Sequence, residues 1–332
     1  MLRPSAEPLV GSYDLAMLDL DGVVYVGPDA VPGAAAAIER ARAAGMRIGF
    51  ITNNASRSSS TVAAHLRDLG VAAESGDVVT SAQAAARLVV EQWGEGVRAV
   101  CLGADGLREA LEDAGAVPVG VDDDAEVLVS GYGPDLAWRD IMRGATRVRD
   151  GLVWVACNTD LTIPTPFGAA PGHGVLVRMI ESFASVEARV AGKPERPLLD
   201  ETVRRLGARR PLMVGDRLDT DIAGAARAEI DSLLVLTGVT DLAGLVGAGP
   251  GERPTYIAAD LAGLTEPHPE VEPTEAGWRA GRWTASVVDG VLRLAEGFGG
   301  TGSEVDRIRA GCAAAWQHLD ATGVPVRLPD AR

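Results

Sequence analysis

From Leu15 onward, short apolar runs alternate with Ala- and Arg-rich stretches of helical length, and this alternation constrains the fold more than anything else in the chain. The runs at 15–19, 47–52, 77–79, 98–102, 126–130, 152–156, 211–215 and 232–236 predict strands. Segments such as 33–44, 56–69, 136–149 and 199–206 predict the helices between them. Strands separated by helices run parallel, because the crossover returns the chain to the same end of the sheet. An α/β class follows, with helices on both faces. In such sheets the polar residues at the carboxyl ends of the strands share one crevice, where ligands bind.

The 332 residues have room for two ordinary domains, and the strands exceed what one open sheet usually holds. The runs at 15–19, 47–52 and 211–215 each end in a polar cluster, so they are assigned to one catalytic sheet. The middle of the chain lacks comparable carboxylate pairs and reads as an inserted α/β domain. The expected division is a discontinuous core of 1–80 and 187–265, an insertion at 81–186, a linker at 266–274 and an appendage at 275–332. The linker, Glu266-Pro-His-Pro-Glu-Val-Glu-Pro273, is rich in proline and acid and should be stiff and extended. In the appendage, Trp278–Leu294 alternates polar and apolar residues around Asp289-Gly290, a hairpin signal. A glycine-rich loop, Gly297–Gly302, then precedes a helix at 304–320, giving a small α+β unit. Trp278, Trp283 and Trp316 are expected to form its core. So short a segment has too little core to stand alone and should pack on the rest of the protein.

Chemistry concentrates in four places. Asp19-Leu-Asp21-Gly22 closes the first apolar run with two carboxylates at i, i+2. On a strand such residues point the same way, so they converge and repel. A divalent cation, a shared proton, or both would relieve that repulsion. Thr52-Asn53-Asn54 offers a hydroxyl and amide donors at a second strand end; Thr52 and Asn53 could instead cap a helix starting at Ser56. Gly192-Lys193-Pro194 sets a lysine on a rigid turn, and Gly215-Asp216 leads to Asp219 and Asp221. Hard oxygen donors of this kind suit Mg²⁺. The four histidines show no H-x-x-x-H pairing, which argues against zinc.

These four clusters, in this order, resemble the haloacid dehalogenase-like phosphatases. Asp21-Gly-Val-Val-Tyr25, Ile51-Thr-Asn-Asn-Ala-Ser56 and Gly192-Lys193-Pro194 are similar to the subgroup with a large α/β cap, which includes NagD-like, 4-nitrophenyl-phosphate, phosphoglycolate and glycerol-3-phosphate phosphatases. Asn158, Asp160, Pro164 and Pro171-Gly172 look like that subgroup's cap signature, with Cys157 replacing a threonine and His173 at a variable position. The resemblance covers about 12–265. It implies a Rossmann-like, doubly wound core with the insertion as cap, and an Mg²⁺-dependent phosphatase of a small phosphate monoester. Glycerol 3-phosphate is the substrate of choice, because the appendage and the cap variants look most like the actinobacterial members. Phosphoglycolate, sugar phosphates and nucleotides are the alternatives.

By that resemblance Asp19 is the nucleophile and Asp21 the general acid and base. Asp19, the main-chain carbonyl of Asp21 and Asp216 hold Mg²⁺, and Asp221 supports them from behind. Thr52, Asn53, Asn54 and Lys193 bind the phosphoryl group, while Asn158, Asp160 and His173 stand toward the substrate from the cap. Caps of this subgroup often pair subunits, so a homodimer through the cap is allowed. A mutase or transferase would keep the same intermediate, and a receiver-like phospho-acceptor module is the reading of another class.

The bulk properties narrow the rest. A net charge of −15 argues against a nucleic-acid partner or an anionic membrane surface. No apolar stretch approaches the roughly 18–20 residues of a membrane span, and the N-terminus has no signal-peptide core. Cys101, Cys157 and Cys312 lie far apart with no C-x-x-C, which excludes a disulfide framework and fits the reducing cytoplasm. Gly103-Ala-Asp-Gly106 lacks the G-x-G-x-x-G spacing of a dinucleotide loop.

Overall fold

The computed structural model describes residues 1–165, 168–297 and 303–329. The expected loop Gly297–Gly302 therefore lies, after its first residue, outside the described residues. The chain forms two compact units, one of Met1–Ile48 with Ala208–Arg332 and one of Gly49–Gly207.

In the first unit, Tyr256–Ala258, Asp231–Val235, Pro211–Gly215 and Leu15–Asp19 lie side by side in that order, all parallel. All five residues of Leu15–Asp19 are buried, as expected of a parallel strand covered on both faces. Leu18 stands opposite Val214, so Asp19 and Asp216 emerge together at the carboxyl edge. The helix Ala34–Ala43 buries Ala34, Ala37, Ile38 and Ala41, the i, i+3, i+4, i+7 stripe of an amphipathic helix.

The C-terminal part of this unit is a four-stranded antiparallel sheet, Glu272–Thr274, Gly277–Ala280, Trp283–Val288 and Val291–Glu296, followed by the helix Glu304–Thr322. Asp289 and Gly290 both have positive φ, 52° and 72°, as a two-residue hairpin turn requires. Ser303 and Asp306 close a reciprocal capping box at the start of the helix. The three tryptophans do not form one core. Trp316 packs with Ile222, Leu234, Leu245 and Ile257, and its indole N–H donates to the Leu245 carbonyl at 2.8 Å. Trp278 and Trp283 only border the cluster of Ala280, Ala285, Leu292, Ala310 and Ala314. The helix has two apolar faces. Ile308, Cys312 and Trp316 turn to the body, and the alanines turn to the sheet.

The proline-rich segment is extended but anchored. Ser5 and His268 exchange two main-chain hydrogen bonds of 2.7 and 2.8 Å, His268 is buried against Tyr256, and Glu272–Thr274 is already strand.

In the second unit, Phe50 to Thr52 pair in parallel with Val78–Thr80. A separate parallel sheet runs Arg189–Val190, Val153–Ala156, Val127–Ser130, Arg98–Leu102, Val117–Val119, a doubly wound order. Its core joins Leu102, Leu128, Val148, Trp154, Val177 and Ile180. A hairpin, Thr162–Thr165 with Gly168–Pro171, leads into the helix His173–Ala184. No helix among the described residues is long and apolar enough to cross a membrane.

Candidate active site

Three buried carboxylates converge in the first unit. Asp19, Asp216 and Asp221 each bring one oxygen within 4.8 Å of the others. Asp19 is the last residue of its strand, and Asp216 follows directly on Gly215, the last residue of the neighbouring one. A wide helical turn at Leu218–Ile222 brings Asp221 back, and its Oδ2 accepts the main-chain N–H groups of Asp216 and Arg217 at 3.1 and 3.0 Å. Only glycine fits before Asp216, since a Cβ on Gly215 would lie 2.3 Å from Asp221 Cβ. At an effective dielectric constant of ~20, each pair of like charges this close repels by about 3 kcal/mol. The donors are all carboxylate oxygen, with no His or Cys in the cluster, which is the chemistry of a hard divalent cation such as Mg²⁺.

The strand ends at Asp19, so the alternation that was to align Asp21 with it does not extend that far. Asp21 lies in the following turn with its side chain exposed, and Gly22, at φ 80°, donates to the Tyr25 carbonyl at 2.8 Å. The loop after Asp231–Val235 closes on the same place. Val239 N donates to Asp216 Oδ2 at 2.8 Å, the Thr240 hydroxyl to the Asp216 carbonyl, and the Thr237 hydroxyl to the Gly22 carbonyl at 2.6 Å. Sequence reasoning recognised the strand but missed this loop. Its signal was a glycine between threonines, Thr237-Gly238-Val-Thr240, at a parallel strand's carboxyl end.

The second unit gathers the other candidates into one network. Thr52 is buried at its strand end, and its hydroxyl accepts from Asn54 N at 3.1 Å. Asn54 Oδ1 in turn accepts from the Ser56 N–H and hydroxyl at 2.8 and 2.7 Å. Neither Thr52 nor Asn53 caps a helix. That helix begins at Ser59 and is capped by Ser58. Asn53 instead holds the lysine loop, with Oδ1 accepting from Lys193 N at 2.8 Å and Nδ2 donating to the Lys193 carbonyl at 3.0 Å and to Asp160 Oδ1 at 3.1 Å. Both amide hydrogens are thus engaged. Asn158 Nδ2 donates to the Asn53 carbonyl at 2.6 Å, and Lys193 is 2 % exposed. Gly192 permits this approach, since a Cβ there would sit 2.6 Å from Asn53 Oδ1.

His173 is enclosed by the protein. Its Nδ1 lies 2.8 Å from the Asn158 carbonyl and its Nε2 3.2 Å from Ser130 Oγ, which also accepts the Trp154 indole N–H. A carbonyl can only accept, so Nδ1 carries the proton and the serine hydroxyl donates to Nε2. Burial pushes the ring's pKa down to about 4, which keeps it neutral near pH 7.

A family model for haloacid dehalogenase-like hydrolases matches residues 16–117, and a second, HAD-hydrolase-like, matches 190–264. The sequence is 43% identical over 253 residues to a D-glycerol 3-phosphate phosphatase of Mycobacterium tuberculosis, covering 76% of this chain and 71% of that protein. It is 31% identical over 251 residues to an acid sugar phosphatase of Staphylococcus aureus, covering 75% and 95%. In structure the chain resembles a glycerol phosphate phosphatase from M. tuberculosis in complex with magnesium, with TM-score 0.86 and 37% identity over 97% of this chain and 94% of that one. A 4-nitrophenylphosphatase from Thermotoga maritima gives TM-score 0.72 and 28% identity over 77% and 98%.

Proposed function

The chain belongs to the haloacid dehalogenase-like hydrolases, and on that premise we propose that it hydrolyses a small polyol phosphate, with glycerol 3-phosphate the foremost candidate. It is a phosphoric monoester hydrolase. The observation that carries the reading is the convergence of Asp19, Asp216 and Asp221. The relative acting on D-glycerol 3-phosphate supports the substrate, and the acid sugar phosphatase keeps sugar phosphates as the alternative.

In this reading the Asp19 carboxylate attacks phosphorus and the ester P–O bond breaks, leaving an acyl phosphate on Asp19. Asp21 gives its proton to the departing alkoxide. It then takes one from the water that attacks the acyl phosphate and releases inorganic phosphate. The exposed side chain of Asp21 suits a group that must meet both alcohol and water. Mg²⁺ would be held by the carboxylates of Asp19 and Asp216 and the main-chain carbonyl of Asp21, with Asp221 behind them. When bound, it neutralises the acidic cluster and the charge developing on the phosphoryl oxygens.

Thr52 and Lys193 are assigned to those oxygens, together with the main-chain N–H of Asn53, while Asn54 braces the turn through Thr52 and Ser56. The Asn53 side chain contributes by holding Lys193. Residues 81–186 are read as the cap that selects the leaving group, through Asp160 on a loop braced by Asn158 and His173. The cytoplasm, where the sequence reading puts the chain, supplies both Mg²⁺ and phosphorylated metabolites. A homodimer through the cap is the proposed assembly, and a monomeric mass in sedimentation at micromolar concentration would exclude it.

The function is tested with a panel of phosphate esters assayed for inorganic phosphate, with Mg²⁺ and with chelator, alongside Asp19→Asn. Glycerol 3-phosphate should turn over fastest, and activity should fall at least about a thousandfold on chelation or in the variant. Hydrolysis that survives either treatment would sink the mechanism. Transfer of the phosphoryl group to another alcohol would make the protein a transferase, and single-turnover labelling without release a phospho-acceptor module.

A further inference from the structure

Asp216 is not simply an acid at a strand end; it is gripped from two sides. A Cβ on Gly238 would lie 1.8 Å from Asp216 Oδ2, and one on Gly22 would lie 2.5 Å from the same oxygen. The carboxylate therefore packs directly against two glycine backbones, at positions where no side chain would fit. Oδ2 is aimed by the Val239 N–H at 2.8 Å, and the Asp216 carbonyl takes the Thr240 hydroxyl. The same loop reaches across to the first motif, where the Thr237 hydroxyl donates to the Gly22 carbonyl at 2.6 Å. Gly22 follows directly on Asp21, whose own carbonyl is assigned to the metal.

We infer that Thr237–Thr240 is a strap that positions the metal ligands, holding the Asp216 carboxylate and the Asp21–Gly22 turn in their binding arrangement. The inference rests on the metal reading of the aspartate cluster given above. Hydrogen bonds behind a ligand set its direction and rotamer before the ion arrives. Removing them commonly weakens metal binding ten- to a hundredfold. Here the two hydroxyls lock main chain on either side of the cluster. Their loss should raise the free energy of assembling the ligands without removing any ligand. Thr237, Gly238 and Thr240 are thus positioning residues, and none needs to touch substrate.

The test is calorimetric titration of Mg²⁺ into the full-length protein, compared for wild type, Thr237→Val, Thr240→Val and the matching serine variants. The valine variants should bind Mg²⁺ roughly ten- to a hundredfold more weakly, and the serine variants, which keep the hydroxyl, should restore affinity. At saturating Mg²⁺ the valine variants should recover most of their kcat, and in chelator they should melt within a few degrees of wild type. Gly238→Ala, which drives a methyl into the carboxylate, should lose Mg²⁺ binding more completely. Valine variants that bind Mg²⁺ as tightly as wild type would overturn the strap. A wild-type protein that takes up no Mg²⁺ would instead overturn the metal reading, and the strap with it.

Discussion

Asn53 commits its whole side-chain amide to two residues more than a hundred positions away, Lys193 and Asp160. In the sequence it stands beside Thr52 at a strand end and offers amide donors to a phosphate. In the structure both amide hydrogens and the carbonyl oxygen serve Lys193 and Asp160. Neighbours along the chain were legible, but the partner 140 residues away was not, because nothing local in Thr52-Asn53-Asn54 encodes the Lys193 peptide. The position therefore has an asymmetric cost. Asn53→Ala should lower stability by roughly 1–3 kcal/mol, since it leaves buried main-chain groups of Lys193 without their partner. Asn53→Asp should be worse, because it keeps an acceptor for Lys193 N but turns a second carboxylate toward Asp160. Urea unfolding of the three proteins tests the order, and an aspartate variant as stable as wild type would contradict it. Asp21 carries a related lesson. The i, i+2 argument holds only inside a strand, and this strand ends at Asp19.

At the scale of elements, the strands were the most legible part, because apolar runs bounded by glycine and charge have few other uses. The runs at 15–19, 47–52, 98–102 and 211–215 are strands at those limits. The hairpin at Asp289-Gly290 was equally clear, since few dipeptides accept two positive φ angles. The C-terminal helix was legible as an element, but its Trp316 was assigned to the appendage's own core and lies instead in that of the first unit. Its alanine face covers the small sheet, while Ile308, Cys312 and Trp316 enter the core of the first unit. Which of two apolar faces meets which partner is decided by the partners' shapes, not by the helix's own period. Trp316→Ala should therefore cost roughly 3–5 kcal/mol, the loss expected for a fully buried indole. Trp283→Ala should cost clearly less, because that ring is only half-buried. Equal losses in thermal or urea unfolding would contradict the division of Trp316 and Trp283 between two cores.

For the whole molecule, pH sensitivity is a property of the buried histidines. Burial holds His173 at a pKa of about 4, against 6.5 in the unfolded chain. Between these values the unfolded state binds a proton that the folded state refuses, so stability is full above pH 6.5 and falls as pH drops toward 4. The loss from this residue alone amounts to about 3 kcal/mol at the acid end of that window. His268, also lowered by burial, acts in the same direction. The urea midpoint should fall from pH 7 to about pH 5, and His173→Gln should flatten that slope even if it is less stable at pH 7. Parallel slopes for the two proteins would exclude the assignment. Family, chemistry and parallel sheets were determined by the sequence alone, because strand-end motifs are local and their residue types answer directly to phosphate and Mg²⁺. Only the tertiary structure decided that Asp221 turns back onto Asp216, that Thr237–Thr240 grips the cluster, and that the C-terminal helix enters the core. Each of these depends on packing and hydrogen bonds between segments far apart in the chain, where close approach of backbone leaves no periodic or compositional trace.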